Sequence, residues 1–234
     1  MRPADWQSDD GAIRLYCGDC RVLDVPPVAC IIADPPYGIS HKCNFAERGR
    51  GNLALCHDYA DVAGDNEPFD PAHLLAFDVP TVLWGGNHFA DRLPASSGWL
   101  VWDKLRPDTL DQATCELAWT NCIKGVRRLA HLWNGMMKAS ERGESYHPTQ
   151  KPVALFDWIL SLPWIPSGTV FDPYMGSGPC GVACARDGRG YVGCELDPRY
   201  FAIAVKRIES AIEQHAGGPM FKHIPDPQLF EVTA

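Results

Sequence analysis

The sequence predicts an α/β fold, a doubly wound and mainly parallel sheet with helices on both faces. Three observations carry that expectation. Short apolar runs closed by Pro or Gly alternate with helix-length segments along the 234 residues. A rigid Asp-Pro-Pro-Tyr turn follows one of these runs directly. A glycine turn joins another run to a helix, and an acidic residue ends the strand after that.

The elements follow in order. Residues 28–33 (Val-Ala-Cys-Ile-Ile-Ala) form a buried strand, cut off by Pro35 and Pro36. Residues 38–70 are rich in Gly, Asn, Asp and charge and have no period; a loop of that length in a compact domain is commonly a lid or binding arm. Residues 81–84 and 98–102 are two more strands, and 105–146 read as irregular. A helix over 153–162 starts after Pro152, a strand over 169–171 precedes a helix over 178–187, and a strand over 191–194 precedes a helix over 199–215. The expected organisation is one domain over 1–216, with a small recognition region at about 105–146 and a flexible loop at about 38–70. A Pro-rich extended tail follows over 217–234.

Composition narrows the classes. The apolar fraction of 46% is ordinary for a globular protein. No stretch approaches the roughly 20 apolar residues of a membrane span, and the first residues lack a secretory apolar run, so a cytoplasmic protein is expected. Of ten cysteines only Cys17 and Cys20 are paired as CxxC, without a second ligand pair at metal-site spacing. They read as small thiols in a reducing compartment, and no metal is expected. The net charge of −8 runs against phosphate binding. Residues 100–151, however, hold eight basic against six acidic side chains, so a locally basic face is compatible with nucleic acid.

Chemistry concentrates in three places. Asp34-Pro35-Pro36-Tyr37 sits just past a strand's carboxyl end, where open α/β sheets bind ligands. Two prolines fix φ and remove two donors, leaving a carboxylate, an unpaired carbonyl and an aromatic ring on one rigid turn. That set suits a planar heterocycle with an amino group. In Asp172-Pro173-Tyr174-Met175-Gly176-Ser177-Gly178, glycines let backbone approach a ligand. Glu195, seventeen residues beyond Gly178, is placed to accept from both hydroxyls of a ribose, so a nucleoside cofactor is favoured. His147-Pro148-Thr149-Gln150-Lys151-Pro152 opens a helix with donors and a cation suited to a carboxylate.

On these residues the chain resembles the amino-group DNA methyltransferases. Asp34–Tyr37 matches their DPPY motif, 172–178 their DPFxGSG cofactor motif, and 147–152 their HPTQKP element. The catalytic motif comes first, a circularly permuted order similar to the β class, and the resemblance runs from Leu15 to Ile208. The stretches 84–89 and 98–104 also resemble a compact subgroup common in phages. Departures are Tyr174 in place of Phe, and Pro179 and Cys180 where Thr-Thr is usual.

The resemblance implies a methyltransferase (Rossmann-like) fold, S-adenosylmethionine as cofactor and the N6 amino group of a flipped-out adenine as target. Cytosine N4 is the alternative, and Asp34 favours adenine because Ser is commoner there for cytosine. A catalytically silent DNA-binding protein on the same scaffold is a further alternative. Implied catalytic residues are Asp34, Pro35, Pro36 and Tyr37. Implied cofactor residues are Asp19, Cys20, Asp34, His147, Thr149, Lys151, Asp172, Pro173, Tyr174, Gly176, Ser177, Gly178, Glu195 and Leu196. Lys151 and Thr149 are expected at the methionine carboxylate. Lys42, Arg48, Arg50, Arg106, Arg127 and Arg128 are the expected DNA contacts, with double-stranded DNA as partner, a homodimer as a second association and the replication sliding clamp as a partner of the tail through 227–231.

Overall fold

A computed structural model gives the architecture, and it describes residues 2–39, 64–107, 113–134, 137–141, 146 and 150–216. The strands are β1 (Trp6–Gln7), β2 (Ile13–Cys17), β3 (Cys30–Ala33), β4 (Thr81–Trp84), β5 (Gly98–Asp103), β6 (Cys115–Thr120), β7 (Val126–Ala130), β8 (Trp133–Asn134), β9 (Met137–Lys138), β10 (Val170–Asp172) and β11 (Tyr191–Glu195). The helices are α1 (Ala72–Leu75), α2 (Val153–Ser161), α3 (Pro179–Asp187) and α4 (Pro198–Ala216). Among the described residues one sheet has the order β1-β2-β11-β10-β3-β4-β6-β5-β7, and β8 pairs with β9 in a small separate hairpin.

The five strands β2, β11, β10, β3 and β4 pair in parallel, while β6 runs antiparallel to both β4 and β5. Side chains alternate across the pleat, and so does the core. Cys30, Ile32, Val82 and Trp84 pack on one face with Leu155, Ile159, Cys180 and Ile208 of α2, α3 and α4. Ile31, Ala33 and Leu83 pack on the other with Leu74 of α1, Phe69 and Phe89. Covering both faces lets the central strands be apolar throughout, which is why β3 and β4 are buried at every position.

The doubly wound, mainly parallel sheet agrees with the sequence. The stretch 105–146 does not read as the sequence suggested. It holds β6 and β7, two strands of the main sheet, and the β8–β9 hairpin. In β7, Val-Arg-Arg-Leu-Ala, both arginines sit on an edge strand, which hides the alternation a buried strand would show. The tail 217–234, with its expected clamp contact, and most of the 38–70 loop lie outside the described residues. Within that loop, the Asp65 carboxylate accepts from the amides of Gly38 (2.8 Å) and Ile39 (3.3 Å), tying 38–39 to 65.

Among the described residues no helix is long and apolar enough to cross a membrane, and no group of three metal-ligating side chains occurs.

Candidate active site

The carboxyl ends of β3, β4 and β5 and the amino end of β6 share one sheet edge, because β6 is antiparallel to its neighbours. Asp34 follows β3, Gly85 follows β4, Lys104 follows β5, and Glu116 is the second residue of β6. Lys151, just before α2, reaches the same place. Its ammonium donates to Asp34 Oδ1 (2.5 Å) and to the Tyr37 hydroxyl (3.0 Å), and pairs with Glu116 Oε2 (3.1 Å). The Tyr37 hydroxyl also donates to Asp34 Oδ1 (2.7 Å). Lys104 bonds the other Glu116 oxygen.

Burial pushes the Asp34 carboxyl above its ordinary value, and the Lys151 ammonium opposes that rise. Burial would raise Glu116 as well, but Lys151 and Lys104 outweigh it and hold Glu116 down to about 2. Lys151 lies above its ordinary value despite burial, because Asp34 and Glu116 face it.

Tyr37 is held as a flat wall. Its ring stacks on His88 at 4.9 Å and 14°. Gly85 also lies against the ring: a Cβ there would stand 2.0 Å from Tyr37 Cε1, and the backbone has φ +70°. Only glycine fits both the approach and the left-handed conformation.

The glycine turn joins β10 to α3. Asp172 is buried and inward-facing, accepting from the Tyr174 amide (3.2 Å) and the Tyr191 hydroxyl (3.0 Å). Burial lifts its carboxyl to about 7, against the pull of the Tyr191 bond. Glu195, ending β11, accepts the Gly176 amide on Oε2 (2.9 Å) and the Asp197 amide on Oε1 (2.8 Å). Gly178 takes φ +78° where a Cβ would meet Ala204 of α4 at 2.9 Å, so helix and turn pack closely. Ser177 is buried, and Arg207 of α4 donates to its carbonyl (2.8 Å) and hydroxyl (3.0 Å). Arg207 also pairs with Glu141 (2.7 Å), whose other oxygen caps the Val153 amide of α2 (2.8 Å).

Beside this turn, the Tyr174 hydroxyl meets His73 Nε2 at 3.0 Å, and its ring lies edge-on to Phe69. Asp19 caps a short 3-10 turn (Cys20–Val22) and is chelated by Arg21, while Leu196 is 54% exposed. A glycine turn, an acid at the next strand end and an exposed Leu196 beside it are the residue chemistry that suits a nucleoside cofactor.

The structure thus brings together Asp34, Pro35, Pro36 and Tyr37 with 172–178 and Glu195, through the β3–β10 pairing, in which Val170 faces Cys30 and Phe171 faces Ile31. Lys151 places its ammonium against the Asp34 turn and Glu116. Arg106 donates to the Trp133 carbonyl (3.1 Å), Arg127 lies over Trp164 (4.9 Å), and Arg128 pairs with Asp103 (2.6 Å). His147, Thr149, Lys42, Arg48 and Arg50 lie outside the described residues. Sequence reasoning missed Glu116 and Lys104 as site residues. Lys104 at least ends a segment that carries part of the resemblance, whereas Glu116 has no local signal.

The fold is a Rossmann-like scaffold in which the Asp34 turn lies beside the glycine turn. A family model described as DNA methylase, of the N6/N4 kind, matches residues 101–206, a stretch that contains the 147–152 element, the glycine turn and Glu195. Type II methyltransferase M2.DpnII of Streptococcus pneumoniae is 34% identical over 88 residues, 37% of this chain and 33% of that protein. Type II methyltransferase M2.LlaDCHI of Lactococcus lactis subsp. cremoris is 34% identical over 83 residues, 35% of this chain and 31% of that protein. The matched stretch spans about a third of either relative. Among solved structures, the PvuII DNA methyltransferase (cytosine-N4-specific) aligns with a TM-score of 0.53 at 13% identity, over 88% of this chain and 93% of that one. That is a likeness of fold.

Proposed function

We propose that this chain is an S-adenosylmethionine-dependent DNA methyltransferase that acts in the cytoplasm on the N6 amino group of an adenine turned out of the duplex. The observation that supports the reading is the parallel pairing of β3 with β10, which sets the Asp34 turn next to the glycine turn. The DNA methylase match over 101–206 supports the class, and Asp at position 34 supports adenine over cytosine N4.

Asp34 and the Pro35 carbonyl accept the two amino hydrogens, and Pro36 keeps the turn rigid. Two acceptors favour a pyramidal nitrogen whose lone pair leaves the ring system. Tyr37, braced by Gly85, supplies an aromatic wall for the base. Cofactor, when bound, supplies an electrophilic sulfonium methyl. Glu195 accepts from the ribose hydroxyls with the lone pairs that Gly176 and Asp197 leave over. Asp19, Cys20, Tyr174 and Leu196 line the adenine end; Asp172, Pro173 and Ser177 shape the turn from beneath; His147 and Thr149 serve the carboxylate end. The amino proton becomes acidic only as the N–C bond forms, so Asp34 works as an ionised acceptor and most of the rate comes from positioning.

Double-stranded DNA is the proposed partner, with Lys42, Arg48, Arg50, Arg106, Arg127 and Arg128 on its phosphates. The proposed single domain over 1–216, the homodimer and the sliding-clamp contact of 227–231 are checked by limited proteolysis, sedimentation and peptide titration. The deciding experiment is modification-sensitive long-read sequencing of DNA from cells expressing the chain. N6-methyladenine in one sequence context supports the reading, N4-methylcytosine transfers it to the other base, and unmodified DNA overturns it.

A further inference from the structure

We propose that Glu116 is a positioning residue: bracketed by Lys104 and Lys151, it holds the Lys151 ammonium against the Asp34–Tyr37 pair, so that Asp34 meets the target amino group as an acceptor. The proposal deepens the methyltransferase reading and rests on it for the role of Asp34.

Four charges of alternating sign lie in a row: Asp34, Lys151, Glu116 and Lys104. They come from four segments, after β3, before α2, within β6 and after β5, so only the folded sheet assembles them. Lys151 is 4% exposed; its ammonium donates to Asp34 and Tyr37 and forms an ion pair with Glu116 Oε2 at 3.1 Å.

A buried carboxylate with no counter-charge takes up a proton. Protonated, Asp34 would offer a donor to an amino group that needs acceptors. Lys151 works against this, yet its ammonium is itself buried and stays charged through the acids that face it. Glu116 supplies the second acid that keeps the ammonium charged. Held near 2 by two lysines, Glu116 is a fixed anion over the working pH range and not a proton carrier. Other groups facing the row are Tyr37 beside Asp34, Asp172 from β10, and Arg106, which feels Glu116 from the segment after β5. The rings of Tyr37 (5.5 Å) and Trp84 (5.7 Å) complete the wall around Lys151. None of these replaces the second carboxylate.

The test follows the Lys151 ε-carbon resonance of the full chain, labelled with 13C-lysine, against pH. In the parent protein Lys151 should lose its proton only at a higher pH than an ordinary lysine, because Asp34 and Glu116 face it. In Glu116→Gln its midpoint should fall by about one pH unit or more. The alkaline limb of the methyl-transfer pH profile should move down by the same amount, with cofactor affinity kept within about twofold. Glu116→Asp, which keeps the charge on a shorter stem, should fall in between, and it serves alone should Glu116→Gln fail to fold. A parent-like titration in the folded variants overturns the proposal. A uniform loss of activity with unmoved limbs also overturns it, because that marks a packing role. A parent protein that methylates no DNA refutes the methyltransferase reading instead, while the Lys151 titration still decides whether Glu116 holds the ammonium.

Discussion

Asp172→Asn tests the charge state of the group beneath the glycine turn. Asp172 is 4% exposed, and burial raises its carboxyl from 3.8 to about 7. In the unfolded chain it ionises near ~3.9. A group raised on folding gives its full stability below the unfolded value and loses it as pH rises through the folded one. A gap of about 3 pH units, at ~1.4 kcal/mol each, amounts to roughly 4 kcal/mol lost between about pH 4 and 7. Asparagine has no such proton to lose. Its Oδ1 still accepts from the Tyr174 amide, and its amide nitrogen donates to the Tyr191 oxygen once that hydroxyl turns. The stability of the variant minus that of the parent should therefore climb by about 3–4 kcal/mol from pH 4 to pH 8. Urea unfolding at five pH values across that window measures it. A flat difference would show that Asp172 ionises alike in both states and would refute the argument.

Three further outcomes are expected. Asp34→Ala should abolish transfer of labelled methyl groups to DNA while calorimetry finds cofactor binding largely intact; substantial residual transfer would remove Asp34 from its role. The fold should survive, since Lys151 keeps Glu116. Glu195→Ala loses two charge-assisted bonds to the Gly176 and Asp197 amides and, on the proposed reading, the ribose contact. Cofactor binding should weaken by about 2–4 kcal/mol, with DNA affinity little changed, and an unaltered cofactor dissociation constant would place the ribose elsewhere. Gly85→Ala drives a methyl group into the Tyr37 ring and strains a backbone at φ +70°, so stability should fall by at least ~1–2 kcal/mol and kcat/KM by about tenfold or more. A crystal structure of that variant with Tyr37 unmoved would contradict the bracing role.

What was legible in the sequence is local chemistry. A double proline after an apolar run dictates a rigid turn wherever the strand ends up. Glycines between strand and helix dictate a close approach, and an acid at the next strand end needs only the sheet to be parallel. Glu116 and Lys104 were not legible, because their meeting depends on the antiparallel register of β5 and β6, in which Trp102 faces Glu116. Nothing near Glu116 in the chain announces that register. The position of Lys151 was legible, but its partners were not: they lie on β3 and β6, far away along the chain. Strand β7 escapes notice because the arginines of an edge strand blur the period that marks a strand, and β6, an interior strand, because its first residues, exposed Cys115 and charged Glu116, interrupt the apolar run.

The β3–β10 pairing also governs when the site comes into being. Cys30 and Val170 are 140 residues apart along the chain, and every bond of that pair closes a long loop. Contacts of such separation form slowly, after local helices and hairpins have settled. During synthesis the Asp34 turn leaves the ribosome long before the strand that will lie beside it exists. The Asp34 turn and the glycine turn become neighbours only when β10 slots between β3 and β11. Until then the nascent chain carries two unjoined halves of the candidate site, which are brought together in a single late event.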